Sequence, residues 1–325
     1  MSRPLDLIQQ ANGVVSDYSY DDLNRLTDLV HFKDTDHDAI RDAVEPVIAS
    51  FHYDLLANGN KADTIETDDQ NITRNFVWKY DANDRLVSES LSSTDAAQNY
   101  ITRYTMDLVG NRLKAETDNA TTAQAIASFT SSGDLSPDEV TDSTFDSNDR
   151  IQAEIKDAAG TANDTYTQYS WTGGDQTGKT VHAGLDATGT VTEQATFEYN
   201  IQGRTGTITV VKDGKTTVIA YKYNPDGIRV EEATTVDGVT TTKTYLIDQD
   251  NFTGYAQVLE EFVNGQLAKT FTLGHDVITQ ADATNGPLTF LYDGHGSTRA
   301  LLDAMANVIQ RYAYQAYGVQ IEGRD

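Results

Sequence analysis

The run Asp34-Thr-Asp36-His-Asp38-Ala-Ile-Arg-Asp42-Ala-Val-Glu45 sets acidic residues at the first, third, fifth and twelfth positions of a calcium-loop pattern. Hard carboxylate oxygens at that spacing can wrap a Ca2+ ion. The glycine that turns such a loop is Ala39 here, and the apolar eighth position is Arg41. Two readings follow. Asp34, Asp36, Asp38 and Glu45 ligate calcium, or they are the solvated acids of an insert in which residues 38–48 form one or two helical turns. Asp293, His295 and Ser297 have the residue types of a hydrolytic triad, but three residues in one tight turn cannot reach the relayed geometry a triad needs. His182 and the pair His275-Asp276 stand apart, and six histidines spread along the chain form no ligand cluster in sequence. With 50 Asp and Glu residues, close carboxylate pairs arise by chance and are not diagnostic of acid–base work. Gly173-Gly174 and the stretch from Gly184 to Gly189 lack the following helix on which a phosphate would sit. No catalytic residue is assigned, so the chain reads as non-enzymatic, with calcium its only cofactor candidate.

These residues must be carried by strands and turns. The chain has 325 residues, with 42 Thr, 17 Tyr and 10 Phe, types that suit a pleated, half-buried surface. It has 23 Gly but only 5 Pro, and abundant Asn and Asp, which is turn chemistry without the proline load of a disordered linker. Cysteine is absent, which excludes disulfide scaffolds, thiolate metal sites and Cys nucleophiles. The 24 Lys and Arg against 50 acids leave a formal charge of −26, which repels nucleic acid and anionic bilayers. No apolar run approaches the ~20 residues of a membrane-spanning helix, and the first residues lack the apolar core of a signal peptide. The expected fold class is all-β, built from short strands and tight turns.

Self-similarity says more than composition. Tyr18-Ser-Tyr20-Asp21-Asp-Leu-Asn24-Arg25 recurs as Trp78-Lys-Tyr80-Asp81-Ala-Asn-Asp84-Arg85 and as Phe145-Asp146-Ser-Asn-Asp149-Arg150. Further copies are Phe197-Glu-Tyr199-Asn200-Ile-Gln-Gly203-Arg204 and Tyr221-Lys-Tyr223-Asn224-Pro-Asp-Gly227-Ile-Arg229. Looser copies begin at Phe51, Tyr104 (through Gly110 and Arg112) and Tyr169, and later ones at Tyr245, Phe271, Leu291 and Tyr312. Each copy reads as a β-hairpin. Aromatic-x-aromatic puts both rings on one face, the Asp or Asn starts an Asx-turn, and a residue tolerant of positive φ closes the reversal. Tyr and Arg then brace one hairpin against the next. An aromatic ladder of this kind also suits sugar rings, the second reading beside that of a core.

The series resembles the YD repeats of Rhs proteins, found also in toxin-complex shells and teneurins. The resemblance runs from about Tyr18 to Gly318, and its most specific stretch, Leu291-Tyr292-Asp293-Gly-His-Gly296-Ser-Thr-Arg299, looks like the C-terminal end of an Rhs core. The resemblance implies a strip of antiparallel hairpins that curls into a spiral shell, barrel or tube. It implies a structural scaffold, extracellular or at the cell surface, and the strip's two unpaired end edges are templates for copies of itself, as a homo-oligomer, or for neighbouring segments of a longer parent chain. The alternative it offers is a fragment of an Rhs shell that encapsulates a C-terminal toxin. Family cores that release a toxin carry Asp-Pro-x-Gly motifs, and no Asp-Pro pair occurs here, so self-cleavage and cargo do not carry over. The expected layout is a lead-in over 1–17, a repeat strip over 18–318 with an insert at 31–50, and a tail over 319–325. In that tail, Ile321-Glu-Gly-Arg324 reads as a protease-site linker. About 24 strands at ~4.8 Å each make a strip of roughly 115 Å. Closed into one ring, that leaves a lumen of roughly 15–20 Å, narrower than a folded domain whose radius of gyration alone is about 13 Å.

Overall fold

The computed structural model describes residues 6–119, 137–158 and 163–322. It divides into two compact units, one formed by Met1–Tyr104, Thr117–Ser136 and Asn285–Asp325, the other by Thr105–Glu116 and Pro137–Thr284. The first unit opens with β1 (Leu7–Gln9), β2 (Val14–Tyr20), β3 (Leu26–Lys33), β4 (Val47–Leu55), β5 (Lys61–Asp68), β6 (Thr73–Tyr80), β7 (Leu86–Ser93) and β8 (Tyr100–Met106). Each pairs antiparallel with the next.

The second unit is also built of antiparallel strands. Its strands are β9 (Arg112–Asp118), β10 (Glu139–Phe145), β11 (Ile151–Ala158), β12 (Thr165–Thr172), β13 (Asp175–Ala183), β14 (Val191–Tyr199) and β15 (Thr205–Lys212). They are followed by β16 (Lys215–Tyr223), β17 (Arg229–Val236), β18 (Val239–Asp248), β19 (Gln257–Val263), β20 (Gln266–Leu273) and β21 (Val277–Asp282). The chain then returns to the first unit as β22 (Gly286–Tyr292), β23 (Thr298–Leu302), β24 (Val308–Arg311), β25 (Ala313–Tyr314) and β26 (Gln320–Glu322). The fold is all-β, a succession of antiparallel hairpins.

The hairpins share one irregularity. Pairing slips by a residue just before the last aromatic of the outgoing strand, at Ser19/Tyr20, Lys79/Tyr80, Thr144/Phe145, Glu198/Tyr199, Lys222/Tyr223 and Leu291/Tyr292. Such a bulge sharpens the local twist. The matching turns hold Asn24, Asp84, Asp149, Gly203, Gly227 and Gly296 at φ between 58° and 84°, the left-handed region where Asn, Asp and Gly are tolerated.

The core sits in the first unit. Among the described residues, all the buried apolar ones but Ala195 belong to it. Its return supplies four of the six residues of one cluster, where Leu291, Ala300, Leu302 and Ala306 meet Val14 and Ile48. A second cluster gathers Leu29, Ala49, Phe51 and Tyr53, with Tyr18 and Leu26 against it. A third joins Phe76, Leu91 and Tyr100, with Trp78 and Ile321 packed on it. The second unit's strands are Thr-rich and leave most residues part-exposed.

Residues 38–48 contain no helix. Positions 34–46 form bends and turns between β3 and β4, and His37 and Ala39 take φ of 68° and 60°, which a right-handed helix forbids. Side-chain carboxylates capture the amides a helix would use: Asp34 accepts from His37 and Ala39, Asp38 from Ile40, and Glu45 from Thr35 and Asp42. Local bonds of this kind compete with helix. Strand pairing begins at β1, ahead of Tyr18, and continues in β26, beyond Gly318. Gly323, Arg324 and Asp325 lie outside the described residues.

Candidate functional site

The repeated acidic residues organise turns. In Asp21 one oxygen accepts the Leu23 and Arg25 amides at 2.9 Å, while the other takes Arg25 Nε and Nη2 at 2.7 Å. Asp81 holds Arg85 in the same way, with Nε at 2.7 Å and Nη2 at 2.6 Å, and Asp146 holds Arg150 at 2.7 and 2.5 Å. Asn200 caps the Gln202 and Arg204 amides, and Asn224 caps Ile228. These charge-assisted bonds hold Asp21, Asp81 and Asp146 below the usual carboxylate range. The largest cause is the Arg25 amide at Asp21, the Arg85 side chain at Asp81 and the Arg150 side chain at Asp146.

The arginines then reach the following hairpin. Arg25 Nη1 donates to the Leu56 carbonyl at 2.8 Å, and Arg150 Nη1 donates to the Gly173 carbonyl with its guanidinium 5.7 Å from the Trp171 ring. Arg204 lies 5.9 Å from the Tyr223 ring. Its guanidinium also runs across Gly227, whose φ of 82° favours glycine there. The last aromatics reach back: Tyr80 OH donates to the Lys61 carbonyl, Trp171 Nε1 to Ile151, Tyr199 OH to Gln176 and Tyr223 OH to Thr205 at 2.7–3.0 Å. Arg112 and Arg229 stand one position beyond the capping site; Arg229 lies 4.9 Å from the Tyr221 ring and 3.9 Å from Glu232. Tyr18 packs on the second cluster, and burial raises Tyr20.

The structure brings Asp34, Asp36 and Asp38 together, with one oxygen of each within 4.8 Å of the others. Asp34 is buried and Glu45 nearly so, and both spend oxygens on backbone amides. The Asp38 amide draws the Asp36 carboxyl down, but burial and repulsion from Asp38, Glu45 and Asp34 carry it above its ordinary value. Calorimetric titration with calcium separates the two readings. Saturable one-to-one heat assigns the ion to this loop, and a flat titration assigns the acids to turn capping alone.

The 293–299 turn is seated against β4 and β5 of the first unit. Asp293 caps the His295 and Ser297 main-chain amides at 2.9 Å, so the three triad-like residues meet through the backbone as a turn. Gly294 donates to Tyr53 OH at 2.8 Å, and a Cβ there would lie 2.4 Å from Leu26 Cδ2. Tyr292 offers its carbonyl to His31 Nε2 at 2.8 Å and stacks beside Phe290. Arg299, 8% exposed, binds Glu66 and lies 3.3 Å from Asp293, both carboxylates also buried from solvent. Beside this group opens a cavity of about 480 Å3 lined by Lys61, Glu66, Phe76, Trp78, Tyr80, Asp293, Arg299 and Tyr314.

Behind Trp78 lies a residue the sequence does not single out. Glu89 is fully buried and accepts from Trp78 Nε1 at 3.0 Å, from the Ala316 amide at 2.7 Å and from Tyr100 OH. Burial raises its carboxyl to about 7 against the pull of Trp78 and Ala316. One acid among 50 carries no signal of this in its spacing.

No protein-family model matches the chain, and no curated protein matches it. Among solved structures it is similar to the Photorhabdus luminescens Tc holotoxin pore, at 15% identity and a TM-score of 0.43 over 97% of this chain and 17% of that one. It is similar also to the TcdB2-TccC3-Cdc42 structure, at 15% identity and a TM-score of 0.45 over 98% and 18%. A porin-like protein from Bacteroides uniformis aligns at 12% identity and a TM-score of 0.29 over 83% and 91%. The chain thus spans less than a fifth of the first two. Its fold is a series of antiparallel hairpins closed by Asx-capped turns.

Proposed function

We propose that the protein is a non-enzymatic structural scaffold whose hairpins form one segment of a larger β assembly. The observation that carries this reading is where the recurring side chains spend their polar atoms. Asp21, Asp81 and Asp146 cap turns, and Arg25, Arg150, Tyr80, Tyr199 and Tyr223 bond to a neighbouring hairpin. A unit of that kind propagates by adding hairpins at an edge, because an unpaired strand edge is a template for another strand. Copies of the chain, or further segments of a longer parent, are the partners that fit, in an extracellular or cell-surface setting.

Negative-stain electron microscopy at two protein concentrations tests it. Rings, tubes or filaments that grow with concentration are expected if the edges join copies of the chain. Lone particles at both concentrations overturn self-assembly.

A further inference from the structure

The cavity beside Arg299 has the makings of a ligand site. Phe76, Trp78 and Tyr80 alternate along β6 and line it with Tyr314, so one wall is aromatic by the two-residue period of a strand. Its volume of about 480 Å3 falls within the ~300–1,000 Å3 of small-molecule sites, whose usual lining is apolar faces with a few convergent polar groups.

The polar groups are balanced in charge and mixed in type. Arg299 is engaged by Glu66 and Asp293. Lys61 sits 4.6 Å from the Tyr53 ring centroid. Among the described residues no hydrogen bond or ion pair engages its ammonium, whose N–H groups are three donors in need of acceptors. Next to it Asn60 also lines the cavity, and its buried Nδ2 has no partner among the described residues. Two cations and two carboxylates cancel, so neither an anion nor a cation is selected by net charge. A hydroxyl-rich ring both donates and accepts, and its C–H face packs on aromatic rings.

We propose that this cavity binds a neutral saccharide, with a ring face against Trp78 and Tyr80 and sugar oxygens accepting from Lys61. The probes are cellotetraose, maltotetraose and N-acetylchitotetraose, read by saturation-transfer NMR on the full chain and by calorimetry, with tetragalacturonate as the acidic comparison. At least one neutral tetraose is expected to bind saturably, and at least tenfold more tightly than tetragalacturonate. Lys61→Met and Trp78→Leu are each expected to weaken it about tenfold, and Lys61→Arg to recover most of the loss. Should Lys61→Met not fold, acetylation footprinting of the unaltered protein reads the same contact, with Lys61 protected by the bound tetraose. Failure of all three neutral sugars, equal or tighter binding of the acidic one, or an unprotected Lys61 overturns the proposal.

Discussion

Arg85 and Arg299 both bind the aspartate that opens their turn, yet they stand in different solvent. Arg85 and Asp81 are about a quarter exposed, so Arg85→Ala is expected to cost no more than about 1 kcal/mol. Arg299 and its carboxylates are buried, and Arg299→Ala would leave Glu66 and Asp293 buried without the guanidinium they share, at about 3–5 kcal/mol. Urea unfolding of the two variants checks the contrast, and equal losses would contradict it. Glu89 and His31 act against each other in pH. Burial lifts Glu89 from 4.5 to about 7, so its contribution is full below about 4.5 and lost as pH rises through 7. Burial lowers His31 from 6.5 to about 4 despite the Tyr292 carbonyl, so its contribution is full above about 6.5 and lost as pH falls toward 4. Their slopes oppose across roughly pH 4.5–6.5. Glu89→Gln is therefore expected to make stability climb more steeply with pH in that window than it does in the unaltered protein. A variant with an unchanged pH profile would contradict this.

At the scale of the element, the seating of the 293–299 turn depends on the missing side chain of Gly294. A methyl group there meets Leu26 Cδ2 at 2.4 Å and Tyr53 Cε2 at 3.0 Å, both in a packed cluster that cannot give way cheaply. Gly294→Ala is expected to destabilise by about 1–3 kcal/mol and to free the Tyr53 hydroxyl, seen as a lower melting temperature. An unchanged melting temperature would show that the turn is not held there. Phe76 and Trp78 lie parallel with centroids 5.6 Å apart, as do Phe51–Tyr53 at 6.5 Å and Tyr312–Tyr314 at 6.4 Å. The aromatic-x-aromatic spacing of the repeat copies foretold the pairs at 51/53 and 312/314, because strand period is a local property, whereas Phe76 lies outside the copy that begins at Trp78. Turn position was legible for the same reason: an Asp followed within three residues by Asn, Asp or Gly fixes the reversal without distant help. The loop at 34–46 was read less well. Its carboxylates bond their own neighbourhood's amides, and spacing alone does not decide between that and a helical turn.

For the whole molecule, what the sequence concealed is long range. The return of residues 286–322 to the first unit is carried by contacts such as Asn12–Thr289, Lys33–Met305 and Arg311–Asp69, separated by 277, 272 and 242 positions. Arg299 looks in sequence like the other repeat arginines, and only this return makes it a buried ion. Trp78, Tyr80 and Lys61 likewise form a cavity wall only once the 293–299 turn and Tyr314 are seated opposite. The acidic balance of −26 repels itself at low ionic strength. Added salt is expected to raise the melting temperature, and a fall would show that the specific ion pairs outweigh the net charge.

Repeat side chains fasten hairpin to hairpin, and hydrogen exchange of Arg150→Ala is the sharpest test of that fastening. Arg150 joins its own Asp146 turn to the Gly173 carbonyl and the Trp171 ring of the following hairpin. Removing it is expected to speed amide exchange several-fold in both turns, 146–150 and 171–175, and to leave the turn at 224–228 unchanged. Exchange that quickens in the 146–150 turn alone would contradict the account, since Arg150 would then serve its own turn and fasten nothing to the next.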